Sequence, residues 1–228
     1  MRHPLTLLTD HVPAIRLEPG RSCLLLQDAH SPLADAEAGW LARRATEKVL
    51  SREFDEYFEM LQLISPNFAQ LATACRHAGI HVAYVSLGMP LNGHLSAFQN
   101  AVGWIWEVDG PDWGFPEDWR PTDRDHNFVK QGWSALTSPA FSGFLSEHHI
   151  QSVIVAGTFY DYGIRQTCYD LTDNNIASLV ASDAVAALTQ TGQTHTSGNL
   201  AHGLTKLRST AEILDLLEVM ETKGQVRI

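Results

Sequence analysis

The chain has 228 residues, 44% of them hydrophobic and 18% charged, and a formal net charge of −10. That length suits one generous α/β domain over residues 1–228, and the apolar share excludes a chain too polar to fold. The acidic balance excludes nucleic acid and anionic membrane as partners, because both need a basic footprint.

The first clear element is SCLLLQD, residues 22–28, a short apolar run ending on a carboxylate that predicts a buried strand. Trp40 to Met60 reads as largely helical. A second helix is expected over SPNFAQLATACRHAG, with Ser65 as cap, Pro66 at its first position and Gly79 at its end. It feeds HVAYVSL, a strand at residues 81–87.

Residues 88–127 are the least regular part and hold four of the six tryptophans among many glycines, prolines and acids. A loop this long serves binding or covers a site, or else is a surface excursion anchored by its tryptophans; a lid and a subunit interface are both open. A short strand follows at residues 128–130, then a helix over SPAFSGFLSEHH capped by Ser138. SVIVAG at 152–157 is the best strand in the chain, and the corner GTFYDYG then turns helical until about Asn174. IASLVAS is a further strand, HTSGNLAHGL a helix and LRST a strand end. STAEILDLLEVM closes as a helix with a Ser209/Glu212 capping box. This alternation predicts a three-layer α/β/α sandwich with a mostly parallel central sheet.

No apolar run reaches the ~18 residues of a membrane span, and the first twenty residues lack the apolar core of a secretion signal. Cys23, Cys75 and Cys168 are odd in number and lack metal-type spacing, which argues against a disulfide framework and for a reducing, cytoplasmic setting. Ligands of such sheets gather outside the carboxyl ends of the strands. Three strand ends carry suggestive residues: Asp28, Lys130 and the Gly157–Gly163 corner. The bland alternative is that Asp28 caps a helix and Lys130 is a solvated strand end.

LLLQDAHSPL, NFVKQGWSAL and VIVAGTFYDYGIRQTCYDLTDNNIASLVASDAV, in that order, resemble the isochorismatase-like hydrolases, also called the cysteine hydrolase superfamily. The resemblance runs from about residue 17 to about residue 218. It implies an acid/base role for Asp28, partnership for Lys130, and a corner at Thr158 and Phe159 where the family often has a cis peptide. It puts Gly163 where most members carry a nucleophilic cysteine. Cys168 cannot stand in, because five residues along a helix is about 500° of rotation and ~7.5 Å of rise; it reads as an inert packed thiol.

One branch of the superfamily, the true isochorismatases, also has glycine at this corner and cleaves a vinyl ether by protonation. By that resemblance Asp28 is the general acid with Lys130 beside it, acting on a small cyclic metabolite, with secondary metabolism as the expected setting. Gly163, Thr158, Phe159, Tyr160, Trp104 and Trp106 are the expected substrate-binding residues. Phe159 replaces that branch's tyrosine, and the tryptophans suggest a more apolar ligand. The alternatives are Asp28 as a base that activates water on an amide, imine or ester, and a non-catalytic ligand-binding protein. No cofactor and no metal are expected, since Asp28, His30, His195 and His202 do not make a ligand set and the histidines read as capping or surface residues. A homodimer or homotetramer is the expected assembly.

Overall fold

The computed structural model describes residues 14–35, 37, 39–47, 51–89, 93–203 and 205–228. In chain order these form β1 (Arg16–Leu17), β2 (Ser22–Gln27), α1 (Ser31–Ala34), α2 (Trp40–Glu47), α3 (Ser51–His77) and β3 (His81–Leu87). Then come α4 (Ala97–Val102), β4 (His126–Lys130), α5 (Pro139–Glu147), β5 (Ser152–Thr158) and α6 (Arg165–Asp173). The chain closes with β6 (Ala177–Ala186), α7 (Gln190–His202), β7 (Lys206–Arg208), α8 (Thr210–Lys223) and β8 (Val226–Arg227).

β2 and β5 are buried at every position, as strands covered on both faces must be. They lie side by side at the centre of a six-stranded sheet of order β4-β3-β2-β5-β6-β7, in which every pairing is parallel. β1 and β8 form a separate antiparallel pair. Side chains alternate across β2. Leu24 and Leu26 pack into the layer holding Phe68 and Leu71 of α3 and Leu217 of α8. Cys23 and Leu25 face the other layer, with Phe141 of α5 and Leu171 of α6. The three-layer α/β/α sandwich expected from the alternating pattern is therefore present.

Strands are added outward from β2 through β3 to β4 in one direction and from β5 through β6 to β7 in the other. The order reverses between β2 and β5, and their carboxyl ends are the switch point at which sheets of this kind hold ligands. Gly157 makes the close approach there possible. Its φ is 128°, and a Cβ on it would run into the Gln27 carbonyl oxygen.

Several expectations are corrected. Ser65 is no cap and Pro66 no first residue: α3 runs unbroken from Ser51 to His77 with Pro66 inside it. The proline removes one helical hydrogen bond, but the apolar stripe of Tyr57, Leu61, Ile64, Phe68 and Leu71 continues through it and is buried. Ser65 instead accepts from Trp119 Nε1 at 2.9 Å. Residues 93–125 are largely irregular, as expected, and are held in place at particular points. Ser96 and Gln99 form a capping box on α4, and Trp119 stacks on Phe68 at 4.3 Å. β4 begins two residues earlier, at His126. The Ser138 cap and the Ser209/Glu212 capping box are present as expected. Among the described residues no helix is long and apolar enough to cross a membrane.

Candidate active site

Asp28 is the first residue past β2 and takes a left-handed backbone, φ 51°, which an aspartate tolerates better than most residues. The turn points its carboxylate across the sheet. Leu87 N–H, at the end of β3, donates to Oδ1 at 3.0 Å. Lys130, the last residue of β4, places Nζ 2.9 Å from Oδ2. Asp28 is 2% exposed and Lys130 1%, so neither is a helix cap at the surface nor a solvated strand end.

The ammonium of Lys130 has three protons and three acceptors: Asp28, the Gly132 carbonyl at 2.8 Å and the Trp133 carbonyl at 3.0 Å. A buried cation needs that full set. Burial lowers the Lys130 pKa, while the charge and hydrogen bond of Asp28 push it back up.

Phe159 leaves β5 as a second buried residue in the left-handed region, φ 56°. Among the described residues no peptide bond is cis, so the corner turns through this backbone angle. Thr158 Oγ1 donates to the Asp28 carbonyl at 2.8 Å and ties the ends of β5 and β2 together. One π-helical turn, Tyr160–Ile164, then leads into α6. It buries Gly163 beside the ion pair: a Cβ there would lie 3.5 Å from Asp28 Oδ2, 3.1 Å from the Trp133 carbonyl and 2.6 Å from Gln27 Nε2.

The space beside Gly163 is filled by the Gln27 amide. Nε2 donates to the Trp133 carbonyl at 3.0 Å, and Oε1 accepts from Thr167 Oγ1 at 2.7 Å. Thr167 in turn accepts from Ala135 N–H at 2.9 Å. Gln27, Thr167 and Trp133 escape a sequence reading because their roles depend on partners far along the chain. The available signal was a glutamine closing an otherwise apolar buried strand.

Aromatic rings cover this end of the sheet. Trp104 meets Phe159 at 5.4 Å, stacks on Trp106 at 6.3 Å and meets Trp133 at 6.0 Å. Trp104 and Trp106 thus lie in one aromatic cluster with Phe159. Tyr160 does not: its ring belongs to the opposite layer, and its hydroxyl lies 3.3 Å from Ser197 Oγ. His30 also departs from expectation. It is fully buried, with Trp106 5.4 Å and Trp113 5.1 Å from its ring. Burial lowers its pKa to about 4; Asp28 pulls it upward, and Lys130 adds to the lowering.

The three cysteines are free and buried, and burial pushes the Cys168 thiol up to about 12. Such a thiol does not supply a thiolate at neutral pH. Among the described residues no cluster of histidine, cysteine and acidic side chains could hold a metal ion.

The parallel sheet thus carries a buried Asp–Lys pair at its switch point. The isochorismatase domain model matches residues 45–212, and the chain belongs to the isochorismatase family, a family of hydrolases. Its structure resembles a cysteine hydrolase from Pseudomonas syringae, with TM-score 0.74, 18% identity and coverage of 89% of this chain and 95% of that one. It also resembles a pyrazinamidase/nicotinamidase from Streptococcus mutans, with TM-score 0.66, 16% identity and 82% and 99% coverage. An N-carbamoylsarcosine amidase from Thermoplasma acidophilum aligns with TM-score 0.60, 18% identity and 83% and 96% coverage. At these identities the likeness concerns the fold. No curated protein matches the sequence.

Proposed function

We propose that the chain is a hydrolase that works without a covalent nucleophile, with Asp28 as its proton-transfer group and water as the attacking species. The observation that carries this reading is the crowding at Gly163. The position faces Asp28 Oδ2, has no side chain, and has the Gln27 amide where a side chain would go. Cys168 is buried in the other layer and offers no substitute.

Asp28 acts as the base in this proposal. Both of its oxygens accept N–H donors, the arrangement a carboxylate takes. Water held against a free lone pair gives its proton to Asp28 as its oxygen adds to an acyl or imine carbon. Asp28 then returns that proton to the leaving group, so the carboxylate is regenerated and no covalent enzyme intermediate forms. Lys130 keeps the carboxylate in place. Trp104, Trp106 and Phe159 supply apolar walls for a small ring-bearing molecule.

The second reading makes Asp28 a general acid on a vinyl ether; it is favoured by the resemblance of GTFYDYG to the glycine-bearing branch of the family. A panel of amides, lactams, imines, esters and vinyl ethers, followed by a pH–rate profile on the best compound, decides between them. The base requires activity to rise as Asp28 deprotonates, and the acid requires it to fall over the same range. Turnover that survives Asp28→Asn would overturn both.

A further inference from the structure

Among the described residues, three buried side-chain polar atoms lack a hydrogen-bond partner: Ser86 Oγ and both ring nitrogens of His30. His30 is 0% exposed and lies two residues past Asp28, close enough for both Asp28 and Lys130 to act on its charge. The Asp28 and Leu87 carbonyls favour its protonated form, yet neither nitrogen has a partner in hydrogen-bonding geometry. Buried polar groups are nearly always paired, so two orphaned nitrogens on one ring need an account.

Packing supplies half of it. The Trp106 contact is edge-on, at 76° between planes, and a neutral imidazole can direct its single N–H at a tryptophan face. The other nitrogen then carries a lone pair. Neither Trp106 nor Trp113 donates its indole N–H to it. What is missing is a donor, and the protein does not supply one.

We propose that His30 is the specificity-determining residue of this site, its unprotonated nitrogen accepting a hydrogen bond from an N–H or O–H of an uncharged, ring-bearing substrate. The proposal rests on the reading of Asp28 as the reacting centre. Charge on the substrate is selected against from both sides. An anion finds no free donor on Lys130, whose three protons are engaged. A cation finds Asp28 already paired, and burying it without a counter-charge is costly. A planar neutral group fits beside tryptophan rings and completes the imidazole.

The test uses four probes of one shape: benzamide, N,N-dimethylbenzamide, benzoate and benzylammonium. Binding is followed by tryptophan fluorescence and by ¹⁵N resonances of the histidine rings, with His30 assigned from its absence in His30→Gln. Benzamide is expected to bind in about the millimolar range and to shift the His30 ring, with the other three weaker by about tenfold or more. His30→Leu is expected to abolish the preference for benzamide over its dimethyl analogue, His30→Gln to keep part of it, and Asp28→Asn to keep that contrast while changing the discrimination against the two ions. Thermal melts of the three variants confirm folding.

Equal affinity for benzamide and its dimethyl analogue overturns the proposal, as does tighter binding of either ion. It is equally overturned by no binding of any probe to the wild type, or by an unchanged preference in folded His30→Leu. If the benzamide preference depends on His30 but no compound is turned over through Asp28, the hydrolase reading falls and the role of His30 stands. Turnover that needs Asp28 and ignores His30 removes the role of His30 and leaves the hydrolase reading standing.

Discussion

The two ends of the central strand pair β2/β5 are built from the same chain by opposite rules. At the amino end the backbone is conventional: Gln151 N–H donates to the Arg21 carbonyl at 2.9 Å, and Ala177 N–H donates to the Gln151 carbonyl at 3.0 Å. The left-handed residues at that end are His149 and Asn175, both on turns and the latter a type that accepts such an angle. At the carboxyl end Asp28 and Phe159 take the same strained region while buried, beside a buried ion pair and an orphaned imidazole. One end is optimised for folding. The other carries strain, charge and unmet hydrogen bonds, which is the observation behind placing the proposed site there.

The largest expected effect breaks the carboxyl end chemically. Asp28→Asn should reduce turnover by about 10³-fold, measured on whichever panel compound the wild type hydrolyses best, because it removes the proton-transfer group while preserving shape. Alkylating reagents at neutral pH and Cys168→Ser should leave turnover unchanged, since all three thiols are buried.

The next effect is on stability against pH. His30 has a folded pKa of about 4 against an ordinary value of 6.5. The unfolded chain therefore takes up a proton first as pH falls. Stability is full above pH ~6.5 and declines between there and pH ~4, by up to about 3 kcal/mol for this one residue. His81 and His126, lowered by burial and by His148, act in the same direction. Urea titrations at pH 7 and pH 5 should show a smaller loss in His30→Gln than in the wild type. An equal loss would remove His30 from the comparison.

Crowding at Gly163 gives a third test. Gly163→Ala should destabilise by about 1–3 kcal/mol, because its Cβ meets the Gln27 amide, and Gln27→Ala in the same chain should recover part of that cost. Additive losses in the double variant would mean the two positions do not compete for one space. The smallest effect belongs to the amino end: Asn175→Gly, at φ 60°, should change stability by about 0.5 kcal/mol or less and leave turnover untouched.

Much of this division is legible in the sequence. SVIVAG and SCLLLQD announce the two central strands because burial on both faces leaves no room for polar alternation. The carboxylate after one run, the lysine after another and the glycine past the corner pick out the switch point before any contact is known. Pro66 misleads because a local stop signal is outvoted by the tertiary packing of α3. His30 and Gln27 are opaque for a different reason. A histidine in a turn and a glutamine at a strand end are ordinary residues until residues 106, 113, 133 and 167 are folded against them. The tryptophan-rich segment falls between these cases: its anchoring role is readable from composition, its order from α4 to Trp119 is not.

Gly157 sets a rule for anyone redesigning this protein. Its bare α-carbon is the spacer between β2 and β5, and any side chain there would strike the Gln27 carbonyl. The separation between the Asp28 turn and the Phe159 corner is therefore not an adjustable dimension. Libraries aimed at a larger or differently shaped substrate should leave residues 27, 28, 157 and 158 alone. They should vary Trp104, Trp106 and Trp113, which hang from a segment outside the sheet. The strand ends are fixed, and the tryptophan-bearing segment over them is editable.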